Sequence, residues 1–167
     1  MKSTNHLRIA VDGESGSGKS YASKIIGKKY KCYILNSGLA YRYSSYLILK
    51  HNPKKIIPFL KKKFNNLNYN KLEKMNLYTS EISKESAILG KIFSVRKILK
   101  KFQVDFAKKY NNCCIEGRDI STKILPNSDV KFFFKCKLDT AALRRYKEMK
   151  KKKKKIKLKD VKKALRI

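Results

Sequence analysis

Eight consecutive residues, Gly13-Glu14-Ser15-Gly16-Ser17-Gly18-Lys19-Ser20, carry the most specific chemistry in the chain. The spacing Gly-x4-Gly-Lys-Ser suits a polyphosphate. Glycines let the backbone curl until several N–H groups face one phosphate chain, and a helix opening at Lys19 adds its positive end. Lys19 then reaches the β and γ phosphates, and the Ser20 hydroxyl takes Mg²⁺. The apolar run Leu7 to Val11 precedes the loop, and Ala22, Ile25, Ile26 and Lys29 follow it at helical spacing. Strand, loop and helix in that order are the context the motif needs. ATP with Mg²⁺ is therefore the expected ligand, on Gly13 through Ser20.

The arginines are the second set. The chain has 36 lysines but only Arg8, Arg42, Arg96, Arg118, Arg144, Arg145 and Arg166. Where lysine serves almost everywhere, a retained guanidinium points to bidentate phosphate or base recognition. The net charge of +31 says less. Abundant Asn, Ile and Lys, few Pro and no Trp are what A/T-rich codons give, so a solvated lysine surface explains most of it. Such a surface also draws in nucleotide anions. The run Lys150 to Lys155 repels itself and is expected to be extended and mobile. No specific nucleic-acid partner is expected.

Composition sets the frame. With 167 residues, 42% of them apolar, one core can form and a disordered basic tail is excluded. No window approaches the ~18 uninterrupted apolar residues of a membrane span. The polar start from Met1 to His6 lacks the features of a signal peptide. Cys32, Cys113, Cys114 and Cys136 have no CxxC spacing and sit in or beside apolar runs. They read as buried free thiols in a reducing cytosol.

Strands are expected at Leu7–Val11, Cys32–Leu35, Cys113–Ile115 and Val130–Phe134. The last is apolar on both faces, as in a covered parallel sheet. Helices follow the loop, span Leu39 to Lys50, and start near Asp139 and Asp160. Ile88, Ile92, Val95, Leu99, Phe102 and Phe106 form a core-facing stripe on one long helix or two in line. Lys61 to Thr79 reads as an irregular or small hairpin insert. Alternating strands and helices give an α/β layer fold, with chemistry at the strand ends Asp12-Gly13, Asn36-Ser37-Gly38 and Glu116-Gly117-Arg118-Asp119.

The loop, Ser37-Gly38-Leu39-Ala40-Tyr41-Arg42, Val95-Arg96, Glu116-Gly117-Arg118-Asp119 and Arg144-Arg145-Tyr146 together resemble the bacterial cytidylate kinases, a branch of the nucleoside monophosphate kinases. The resemblance runs from Leu7 to about Arg166. It implies a three-layer α/β/α P-loop fold with a mainly parallel sheet. The core would be 1–36, 86–139 and 158–167, with a monophosphate-binding insert over 37–85 and a lid over 140–157. It implies transfer of the ATP γ-phosphoryl group to CMP or dCMP, with Mg²⁺, in a cytoplasmic monomer. Ser37, Arg42, Arg96, Arg118 and Asp119 would line the monophosphate site, where Asp119 can accept from the cytosine amine. Arg144 and Arg145 would start the lid near the transferring phosphates. Lys19, Arg118, Arg144 and Arg145 would be the catalytic groups, and Ser20 and Glu116 the metal-side groups.

Plainer readings stay open: a structural Arg118–Asp119 ion pair, Arg42 or Arg144-Arg145 as helix surface, and Glu116 bonded to a backbone amide. Tyr41 reads as packing. The family's Asp before the Ser-Gly pair is Asn36 here. A base-contacting serine falls near Ala87, beside Ser86. The family's last arginine-rich segment, strand and helix do not follow Ile167, which suggests a fragment or truncated product with a Phe-rich sheet edge. Another small P-loop kinase, a basic nucleic-acid-binding protein with a vestigial nucleotide site, and an inactive nucleotide binder are the alternatives.

Overall fold

The computed structural model describes residues 6–65, 67–151 and 156–165. In chain order the elements are β1 (Leu7–Gly13), α1 (Lys19–Lys29), β2 (Tyr33–Asn36), α2 (Ser37–His51), α3 (Ile56–Asn65), α4 (Asn70–Glu73), α5 (Ser80–Leu89), α6 (Phe93–Lys109), β3 (Asn112–Gly117), β4 (Val130–Phe134), α7 (Leu138–Lys151) and α8 (Leu158–Leu165). A single π-type turn, Ile120–Ile124, lies between β3 and β4.

The four strands run parallel in the order β2-β3-β1-β4. Side chains alternate across a strand, so β1 and β3 feed two layers. Ile9, Val11 and Cys114 pack with Cys32 and Ile26 on the α1 side. Ala10, Cys113, Ile115 and Leu35 pack with Leu39, Leu72 and Phe106 on the other. This is the three-layer fold expected. Because all strands are parallel, their carboxyl ends share one edge, which gathers Asp12, Asn36 and Glu116.

Several local expectations are corrected. The stretch Lys61 to Thr79 contains no hairpin among the described residues. It is helical at Lys61–Asn65 and in α4, and the described residues outside these helices are irregular. Ile56, Leu60 and Phe64 already carry the helical period of α3, and Pro58 is tolerated because first-turn N–H groups have no intrahelical partner. The apolar stripe lies on two helices, one of the two arrangements expected, broken by the turn at Gly90, but it does not face the core throughout. Helix α5 buries Ile82 and Leu89, which leaves Ile88 56% exposed, and Ile92 is the N-cap of α6 and also exposed. The even spacing across the break is a coincidence of two phases.

Helices α7 and α8 do start near Asp139 and Asp160, with each acid inside the first turn. Asp139 is ion-paired with Lys162, which ties the two helices together. Lys150 and Lys151 are helical, in α7, and not extended. The rest of the lysine run, 152–155, lies outside the described residues. β4 is the sheet edge and not a covered strand: Phe133 is 62% exposed. Cys32, Cys113 and Cys114 are buried free thiols, and Cys136 is half-buried.

Candidate active site

The loop between β1 and α1 has the backbone its glycines permit. Gly16 and Gly18 hold φ of +80° and +97°, where a side chain would be strained. A Cβ on Gly16 would also stand 3.0 Å from the Ala141 carbonyl oxygen, because α7 packs against the loop. Lys19 Nζ donates to the Glu14 carbonyl at 2.9 Å, folding the lysine back along the loop. Burial lowers the Lys19 pKa, with nearby Arg118 adding to the effect and Glu116, Asp12 and Glu14 opposing it.

Asp12, 2% exposed, organises the loop beyond β3. Its carboxylate accepts from the backbone N–H of Ile120 and Ser121 (2.7 and 2.8 Å) and from the Ser121 hydroxyl (2.5 Å). Arg118 and Asp119 are thereby placed relative to β1. Sequence reasoning took Asp12 only as a strand end; an acid directly before a glycine loop was the available signal.

Glu116, 3% exposed, closes β3. Burial raises its pKa, opposed by the Ser20 hydroxyl, the Lys19 and Lys24 charges and the Asn36 amide. Asn36 Nδ2 donates to Glu116 Oε1 at 2.5 Å. Glu116 Oε2 is buried with no hydrogen-bond partner among the described residues. Glu116 is thus bonded to a side-chain amide, not a backbone one. No group of three or more His, Cys, Asp or Glu side chains among the described residues forms a metal cage. Mg²⁺ suits this arrangement, since it is commonly bound through one or two protein groups and substrate phosphates. The orphaned Oε2 near Ser20 is the fitting feature.

A cleft of about 870 Å³ collects many of the expected residues. Gly13, Glu14, Ser15, Arg42, Arg118 and Arg145 line it, from four separate segments. Ser17, Lys19, Ser20, Ser37, Arg96, Glu116, Asp119 and Arg144 are not on that lining. Lys19 and Arg118 are nonetheless close enough to interact electrostatically. Arg144 Nη1 donates to the Ser17 carbonyl at 3.3 Å, which hooks α7 onto the loop. Ser37 is buried, its Cβ close to Gly117.

Asp119 pairs with Arg96, not with Arg118. Tyr41 is half-buried with Arg96 and Asp119 near it. Arg42 donates to the Ser83 hydroxyl at 2.7 Å and to the Leu77 carbonyl at 3.3 Å, and lies 4.7 Å above the Tyr78 ring. Ser80, Ser83, Lys84 and Ala87 share the cleft-facing side of α5. Ser83, the serine bonded to Arg42, lies one helical turn before Ala87 on that side.

A parallel sheet whose first strand leads through this loop into a helix, with guanidinium groups in the adjoining cleft, defines a P-loop phosphotransferase. The cytidylate kinase family model matches residues 9–167. A cytidylate kinase of Clostridium botulinum (strain Loch Maree / Type A3) is 34% identical over 176 residues, covering 96% of this chain and 79% of that protein. One from Bartonella tribocorum is 34% identical over 149 residues, covering 86% of this chain and 67% of that protein. A bifunctional pantoate ligase/cytidylate kinase of Prochlorococcus marinus is 36% identical over 153 residues, covering 82% of this chain and 30% of that protein. The chain belongs to the cytidylate kinase family, and so to the nucleoside monophosphate kinases.

Proposed function

We propose that this chain transfers the γ-phosphoryl group of ATP to CMP or dCMP, in line, giving ADP and CDP or dCDP. The observation that carries the reading is the shared cleft: loop residues Gly13 to Ser15 face Arg42, Arg118 and Arg145 across one cavity. Phosphoryl transfer asks for positioning and positive charge around a spread-out anion, with little covalent help. The loop amides and Lys19 hold the triphosphate. Arg42, Arg96 and Ser37 receive the monophosphate. Arg118, Arg144 and Arg145 meet the charge on the transferring group as α7 draws in and excludes water.

Ser20 and Glu116 would hold Mg²⁺, which neutralises charge on the β and γ oxygens. Asp119, held by Arg96 at one oxygen, accepts from the cytosine amine, where uracil offers a carbonyl that has no proton to donate. We place the reaction in the cytoplasm, where free thiols persist. Among the described residues no helix is long and apolar enough to cross a membrane.

A coupled assay for ADP release with CMP, dCMP, UMP and AMP tests the proposal. It predicts turnover with cytidine monophosphates at least tenfold above the others. Equal turnover with UMP or AMP points to another small P-loop kinase, and no ADP release with any acceptor refutes the reading.

A further inference from the structure

Asn36 ends β2 and caps α2, and its side chain faces two ways. Oδ1 accepts from the Leu39 N–H at 3.1 Å, while Nδ2 donates to Glu116 Oε1 at 2.5 Å. Chemistry fixes that orientation. A backbone N–H can only donate, so the amide oxygen belongs on Leu39 and its NH₂ on the carboxylate.

The amide has little freedom to swing. The Asn36 N–H donates to the Tyr69 hydroxyl at 2.6 Å, and the Tyr69 ring is buried in the α2/α6 core. Gly38 lies so close that a Cβ there would stand 3.0 Å from Asn36 Oδ1. Glu116 is therefore anchored at one oxygen, with the other buried and unpartnered among the described residues.

We infer that Asn36 is a positioning residue, whose amide orients the Glu116 carboxylate and leaves Oε2 to the metal bound with the nucleotide. The same side chain sets the start of α2, the helix that carries Ser37 and Arg42. One amide so joins the metal side of the site to the acceptor side. The inference rests on Glu116 being a metal-side group, as read above.

The test uses Mn²⁺ as the probe, titrated by electron paramagnetic resonance into the whole chain with ADP. Asn36→Ser keeps a capping oxygen and removes the amide donor; Asn36→Thr is the second variant. Removing such an outer partner typically weakens metal binding about 10–100-fold. We expect at least a tenfold loss of Mn²⁺ affinity, with a melting temperature close to the parent because Ser and Thr also cap helices. A purely structural role would lower the melting temperature and leave Mn²⁺ affinity unchanged, which overturns the inference. Failure of both variants to fold overturns it equally. Glu116→Gln separates the two levels. If that change leaves Mn²⁺ binding intact, the metal reading of Glu116 falls, and this inference with it. If it weakens binding while a folded Asn36→Ser or Asn36→Thr does not, only the positioning role falls.

Discussion

Arg96 Nη2 donates to Asp119 Oδ2, clasping helix α6 to the loop that leaves β3. Both side chains are partly open to water (44% and 31%). A double-mutant cycle with Arg96→Ala and Asp119→Ala on the nucleotide-free chain should therefore give a coupling of only ~0.2–1 kcal/mol. The pair matters more to the acceptor. Asp119→Asn exchanges an acceptor for a donor that a uracil carbonyl can use, so the CMP-to-UMP ratio of kcat/KM should fall at least tenfold. An unchanged ratio would remove Asp119 from base readout.

Lys19→Met separates binding chemistry from folding. Turnover should drop by ~10²–10³, the usual loss for one well-placed cation or donor at a developing charge. Stability should not drop with it. Burial holds the Lys19 pKa below its ordinary value, so keeping this side chain charged in the folded state costs stability. Only above the ordinary lysine range does that cost vanish. A melting temperature at pH 7 well below the parent's would contradict this.

Glu116 works in the same direction with the opposite charge. Burial raises its pKa, so the contribution to stability is fully present below the ordinary carboxylate range and is lost as pH rises through the folded value. Glu116→Gln keeps an acceptor for Asn36 and removes the charge. Without metal or nucleotide it should melt higher than the parent at pH 7, and the two curves should converge at acid pH. An equal or lower melting temperature at pH 7 would show that the carboxylate is not under that strain.

The thiols give a check on the core. Burial pushes Cys113 up to about 11 and Cys114 up to about 12, and Cys32 upward as well. Native protein treated with iodoacetamide at pH 8 should be labelled at half-buried Cys136, with the other three modified only in denaturant. Rapid native labelling of Cys114 would mean that the β3 layer is open.

The glycine loop and the strands were legible because each rests on local pattern: the octet fixes β1, turn and α1, and Val130–Phe134 is a strand within its expected bounds. The series of arginines carried the family. What stayed hidden depends on contacts far apart in sequence. Asp12 reads as a strand end until Ile120 and Ser121 fold back onto it, 108 and 109 residues later. Asn36 reads as a departure from the family pattern until Glu116 arrives 80 residues on. Arg96 with Asp119, and Arg42 with Ser83, are likewise pairings between helices or loops that spacing cannot reveal. The core-facing stripe failed in the opposite sense: two helices of different phase, broken at Gly90, imitated one period.

Phosphorus NMR on the whole chain with Mg²⁺, ATP and CMP tests the central claim most directly, because it follows the phosphoryl group itself. The account predicts that the ATP γ signal disappears as a CDP β signal grows in equal amount, with little inorganic phosphate. Loss of the γ signal into inorganic phosphate, or no change at all, would contradict it.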